Sequence, residues 1–315
     1  MIIHVKKLRT TQNSVIVMKK VVYMLVALLI AGCSEQDVYK DIVDAPSIID
    51  ESPATDQYSV LLEQARWGNS DAYLKLAEFY HDGIGVKADF MGMMSMLVMA
   101  DQYGAYNKSI DSYLITLPET DNAKMIVEAF ASLDSKNMQK TDSITDLLIA
   151  NGSAEGYALK GILQIERGDT LGGKQTIQKS AEMGSSFAKI LLCTVPLPGE
   201  KNKDLDIEML KLLSPNIPFA NKLLGDMYSG YEKGCIEDEH LAAYFYEKAD
   251  EQGCLGKRPA RYLIDYYERN GINIEPKEME RLRILSGNTD PDVYIPDSIA
   301  VDTDHIDTDS VVVSD

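Results

Sequence analysis

The sequence predicts an all-α fold, a right-handed α/α solenoid of stacked helix-turn-helix repeats. Three regularities of spacing carry that prediction. Apolar-periodic stretches end repeatedly in glycine, as M-A-D-Q-Y-G-A at 99–105, K-S-A-E-M-G-S at 179–185 and K-A-D-E-Q-G-C at 248–254. Glycine accepts the left-handed conformation that closes a helix. Fifteen residues before Gly104, Gly184 and Gly253 stand Asp89, Asp169 and Asp238, and fifteen before Gly152 stands Asn137. Asp and Asn accept hydrogen bonds from the free N–H groups of a helix start. Nine residues after Gly68, Gly152 and Asn216 stand Ala77, Gly161 and Gly225, small residues that let two helices approach closely. A capped helix B of about 12–15 residues therefore alternates with a helix A that begins after the glycine.

The elements follow in chain order. Residues 18–33 read MKKVVYMLVALLIAGC: a short positive start, an apolar core and small residues, the layout of a secretory signal. The run is too short for a bilayer span, which takes roughly 20 apolar residues. Residues 1–17 make a poor leading segment, so translation is expected to begin at Met18 and 1–17 to be a start-site artefact. Residues 33–57 follow as an acidic tether; 34–56 carry seven acidic residues, one lysine and two prolines, a solvated composition. The repeat region is expected over 58–287, as about five to six helix pairs. Tyr58–Trp67 would cap its N-terminal end, and Lys277–Ser286 would be the last helix and the C-terminal cap. Residues 288–315 hold eight aspartates and no Lys or Arg, an acidic tail expected to be disordered.

Repeat starts at 68, 104, 152, 184, 216 and 253 are separated by 36, 48, 32, 32 and 37 residues. Only 104–152 is badly out of step, and there Pro118 breaks the helix. Each pair is apolar on both flanks, so copies must stack and share one core.

Two stretches resemble known families. The ending L-I-A-G-C (29–33) resembles the lipobox of bacterial lipoproteins. That resemblance implies diacylation of Cys33, which becomes the new N-terminus and a membrane anchor; each buried methylene contributes ~0.8 kcal/mol. Ser34 in place of Asp looks like an outer-membrane signal, and S-E-Q-D after the lipobox is similar to surface-export signals. The run Leu76, Ala77, Tyr80, Gly83, Gly85, Val86, Asp89, Ala100, Gly104 resembles the Sel-one-like repeat, a tetratricopeptide-like family. So does L-L-G-D-M-Y (223–228) continuing through Gly234, Asp238, Ala242, Tyr246, Ala249 and Gly253. The first copy departs by Ala77 for Gly and Met93 for Ala. The second carries an extra residue before Gly234 and Cys235 where valine is usual. A plain tetratricopeptide array is the rival, with a steady period and no G-x-G-V corner. The resemblance implies a scaffold that binds protein or peptide along its concave face.

Composition narrows the partners. The formal charge is −18. Loss of 1–32 removes five basic residues and no acidic ones, leaving 26 basic against 49 acidic, or −23. Such a chain does not bind nucleic acid non-specifically. Cys193, Cys235 and Cys254 match no zinc spacing. A helix between the last two would hold them roughly 18 Å apart, too far for a disulfide. The stretch D-T-D-H-I-D-T-D (302–309) could chelate calcium but lacks the glycine and closing glutamate of an EF-hand, so no metal or other cofactor is expected.

No G-x-S-x-G, H-E-x-x-H, Walker A or C-x-x-C occurs, and the chain is expected not to be an enzyme. His81 and His240 read as surface residues. Tyr80 and Tyr228 read as core. Tyr244, Tyr246, Tyr262 and Tyr266 are candidate binding residues, since aromatics make effective anchors; the simpler reading of them is core and ordinary surface. Met91, Met93, Met94, Met96 and Met99 form an adaptable apolar helix, core or a repackable binding surface. The expected function is a lipid-anchored scaffold of the bacterial cell envelope. The alternatives are an envelope enzyme or regulator acting on cell-wall or glycan material, and a purely structural envelope protein.

Overall fold

The computed structural model describes residues 53–104, 110–193, 207–215, 217–230 and 237–287. The expected signal, the Cys33 anchor, nearly all of the tether, the tail, Asn216, Gly234 and Cys235 lie outside these residues. The described chain forms α1 (Pro53–Arg66), α2 (Ser70–Asp82), α3 (Phe90–Tyr103), α4 (Ile110–Thr116), α5 (Asn122–Asp134), α6 (Met138–Ala150), α7 (Ala154–Glu166), α8 (Thr170–Glu182), α9 (Ser186–Leu192), α10 (Ile207–Leu213), α11 (Pro218–Tyr228), α12 (Glu239–Glu251), α13 (Lys257–Asn270) and α14 (Pro276–Ser286). The fold is an all-α helical-repeat array, with antiparallel pairs α2/α3, α5/α6, α7/α8, α11/α12 and α13/α14 in sequential contact. α1 starts at Pro53, five residues before the expected Tyr58, because proline suits a first helical turn.

All four expected N-caps form. Asp89 accepts from the Gly92 N–H at 2.6 Å, Asn137 from Lys140 at 3.2 Å and Asp169 from Gly172 at 3.0 Å. Asp238 accepts from both His240 and Leu241, at 3.1 and 3.0 Å. Gly83 and Gly85, the two glycines of the corner, are left-handed at φ 72° and 66°. Gly104 departs from expectation: it is extended, at φ −80° and ψ 156°. Glycine is suited to the place for another reason: a Cβ there would lie 2.7 Å from the Ala100 carbonyl.

The small residues do bring helices together. A Cβ on Gly161 would sit 2.5 Å from the Gly173 carbonyl, and one on Gly173 the same distance from the Gly161 carbonyl, so the α7 and α8 backbones touch. In α11/α12 the Tyr246 ring fills the space over Gly225, and in α2/α3 the Tyr80 ring lies over Gly92. The aromatic thus changes sides between pairs while the close approach persists. The long 104–152 interval holds three helices, α4, α5 and α6, rather than two, with Pro118 in the break between α4 and α5.

The methionine helix α3 is the inner element. Met91, Met93, Met94, Met96 and Met99 are all buried. α3 touches α2 and α4, and also α9 and α11 far along the chain. Phe90 meets Phe187 of α9 edge-on, with ring centroids 6.1 Å apart. Met91 belongs to the large core of α5–α12, whereas Met93 to Met99 belong to the core of the first helices. Flexible thioethers suit a helix that fits between two cores.

The two expected end caps do not face solvent at opposite ends. Lys277 of α14 lies over the Trp67 ring at 5.5 Å, and Lys257 of α13 over the Tyr103 ring at the same distance. Leu285 and Tyr103 flank Gly68, and Leu62 of α1 packs over Gly253. Each cap therefore covers the other, and the array curls until its two ends meet, with α3 inside the curve.

Candidate functional site

α12 and α13 place the candidate aromatic residues. Leu241, Tyr244 and Lys248 recur at helical spacing on the outer face of α12, where Tyr244 is 49% exposed and Leu241 36%. The Lys248 ammonium stands 6.0 Å from the Tyr244 ring centre, and the Phe245 ring supports Tyr244 edge-on at 5.1 Å. Phe245 in turn stacks on Tyr228 at 5.7 Å. Tyr244 is therefore a solvent-facing ring held by a buried aromatic row.

The other candidates sit deeper. Tyr246 is fully buried. Its hydroxyl donates to Asp226 at 2.8 Å and lies 3.2 Å from the Ser229 hydroxyl. Asp226 also pairs with Lys222 at 2.7 Å and Arg258 at 2.8 Å. Burial pushes the Tyr246 phenol far above its ordinary range, and the Asp226 charge adds to this. Tyr246 thus ties α11 to α12 and is a core anchor rather than a surface residue. Tyr262 is half-buried against Tyr246, with centroids 5.2 Å apart. Tyr266 is buried, and its hydroxyl hydrogen-bonds Nδ1 of the exposed His240 at 2.7 Å. The structure therefore leaves Tyr244 and Leu241 on the surface of α12, where His240, one turn before Tyr244, carries the bond to Tyr266 of α13.

His81 has a setting that sequence spacing did not reveal. Its Nδ1 lies 2.5 Å from Asp82 and its Nε2 lies 3.0 Å from Asp121, 40 residues on. Asp121 is recognisable as an N-cap only once α5 is seen to begin at Asn122. Asp89 is the other perturbed group of the corner. Burial pushes its carboxyl up to about 6; the Gly92 N–H opposes the rise and the nearby Glu155 charge adds to it. Its second oxygen accepts from Ser186 of α9.

Cys193 and Cys254 are free thiols in the core. Burial pushes Cys254 up to about 12, which keeps the thiolate out of reach. Among the described residues, no group of three or more His, Cys, Asp or Glu side chains is arranged to hold a metal ion. Among the same residues no helix is long and apolar enough to cross a membrane. Asp302–309, the stretch weighed for calcium, lies outside them.

No family model matches the chain, and no curated protein matches it. Two solved structures are similar to it. One is a Sel1 repeat protein from Oxalobacter formigenes, 16% identical, with a TM-score of 0.37 over 74% of this chain and 99% of that one. The other is a protective antigen present in uropathogenic Escherichia coli strains that displays an SLR fold, also 16% identical, with a TM-score of 0.31 over 75% of this chain and 56% of that one. The helical-repeat architecture is read from the helix pairs of this chain itself.

Proposed function

We propose that this chain is a non-enzymatic scaffold that binds a protein or peptide partner, held at the bacterial cell envelope by lipid on Cys33. The observation that carries the binding reading is Tyr244: a ring half exposed on a repeat helix, next to Leu241, with its base fixed by Phe245 and Tyr228. A rigid aromatic of this kind loses little entropy on binding and makes an anchor. The partner would dock on the exposed face of α12 that carries Leu241 and Tyr244. The anchor reading rests on L-I-A-G-C at 29–33; two or three acyl chains give a stable attachment where one would not.

A photo-crosslinking residue at position 244 of the full chain tests the binding face in intact envelopes. The expected result is one discrete adduct that is lost when Leu241→Ser is added. No adduct at 244, with a discrete adduct from a position on α8 such as Gln178, would move the face elsewhere. Cys33→Ala is expected to leave the chain unlipidated and in the soluble fraction; a membrane-bound Cys33→Ala chain would remove the anchor reading.

A further inference from the structure

We propose that His81 is a pH-set latch that, with both ring nitrogens protonated, joins the last turn of α2 to the start of α5. The geometry carries this. Nδ1 faces Asp82 Oδ1 at 2.5 Å and Nε2 faces Asp121 Oδ2 at 3.0 Å. A neutral imidazole has one N–H, so its other nitrogen would set a lone pair against a carboxylate. Only the imidazolium satisfies both contacts.

The latch acts on a helix start. Asp121 uses its other oxygen, Oδ1, to cap the Lys124 N–H at 3.2 Å. One carboxylate therefore holds both the α5 N-terminus and His81. When the ring is neutral, Asp121 loses an ion pair that orients its cap. Ala123 and Val127 pack in the same apolar cluster as the first helices, so α5 stays seated and the loosened part is its first turn.

The carboxylates that act on the ring are Asp82 and Asp121. On α2, Glu78 lies one turn before His81 and is paired to Lys75 at 2.8 Å. α4 contributes Tyr113, a phenol raised by burial and by Glu78, Asp82 and Asp121. The α5 start contributes Asp121 and Lys124, whose ammonium is held by Glu119 and the Leu117 carbonyl. Carboxylates dominate this set. Burial opposes the charge on His81, but the contacts with Asp82 and Asp121 outweigh it, so its pKa lies above the ordinary histidine value of 6.5. The stabilisation is therefore full below pH 6.5 and is lost as pH rises through the folded-state pKa.

The test is an NMR titration of the full chain, with histidine ring signals assigned by His81→Gln, and amide exchange at 122–124 from pH 6 to 8.5. The expected result is a His81 midpoint above 6.5. The protection factor of the capped Lys124 N–H, corrected for the intrinsic rate, should fall as pH rises across that midpoint. His81→Gln should flatten that profile. Asp121→Asn keeps a good cap residue and should lower the His81 midpoint, because the ring loses a carboxylate partner. A midpoint at or below 6.5, or an unchanged protection profile in His81→Gln, overturns the latch.

Discussion

The Arg281 guanidinium donates Nη1 to the backbone carbonyl of Arg66 at 2.8 Å, across 215 residues of sequence. The same nitrogen bonds Asp250 Oδ1 at 2.8 Å, Nη2 bonds Asp250 Oδ2 at 2.5 Å, and Glu278 accepts from the same side chain. Arg66 adds its own bond to Asp250 at 2.8 Å. Arg281 and Asp250 are 1% and 5% exposed, so the pair is bound out of water. A buried, bidentate pair of this kind suits arginine's planar fork. It joins α1, α12 and α14, and it is the polar fastening of the contact between the two ends of the array.

Removing Arg281 leaves the buried Asp250 carboxylate with the Arg66 guanidinium as its one remaining charge partner among those described. Arg281→Met is expected to cost about 3–5 kcal/mol in urea unfolding, and to expand the molecule in small-angle scattering as the ends part. Arg281→Lys should not restore stability, because an ammonium cannot serve Asp250 and the Arg66 carbonyl with the same fork. A loss below about 0.5 kcal/mol for Arg281→Met, the size of an ordinary surface change, would show that the end-to-end contact needs no fastening.

The α7/α8 contact makes a second prediction. Alanine is the better helix former by about 1 kcal/mol, yet Gly161→Ala and Gly173→Ala each put a methyl 2.5 Å from a backbone carbonyl. Each is expected to destabilise by about 1–3 kcal/mol through overpacking. The double variant should cost less than the sum, since the first displacement opens the space for the second. Thermal unfolding of the three variants decides it; additive losses would place the strain at two separate sites.

Asp89 gives a pH-dependent prediction whose sign follows from its raised pKa. A carboxyl at about 6 when folded against 3.8 unfolded contributes stability that is full below pH 3.8 and is lost as pH rises through 6. Asn at this position still caps α3 and cannot ionise. Asp89→Asn should therefore be more stable than the parent at pH 7.5, by on the order of 1–2 kcal/mol, with the advantage shrinking to nothing near pH 4. Melting curves of both proteins at the two pH values measure it. A constant difference across that range would mean that the carboxyl ionises normally.

Local chemistry was legible where it depends on neighbours in sequence. Asp89, Asn137, Asp169 and Asp238 were identified as caps from spacing alone because a cap answers only to the N–H groups two or three residues ahead. The corner glycines and the closeness at Gly161 and Gly225 were legible for the same reason. The aromatic site was less legible in the sequence. Tyr244 and Tyr246 are two residues apart with the same chemistry, and only the position of α11 makes one a surface ring and the other a core anchor.

The sequence by itself determined most of the helices, the four caps at Asp89, Asn137, Asp169 and Asp238, and the pairing of neighbours, since these rest on hydrogen bonds and contacts within about 35 residues, one repeat. Only the tertiary structure decided that the end caps cover each other, that the methionine helix lies inside the curve, and that His81 meets Asp121. Those outcomes depend on how a small rotation per repeat accumulates and where the extra α4 shifts the stack. A repeat pattern records each step of the curve but not where its ends arrive.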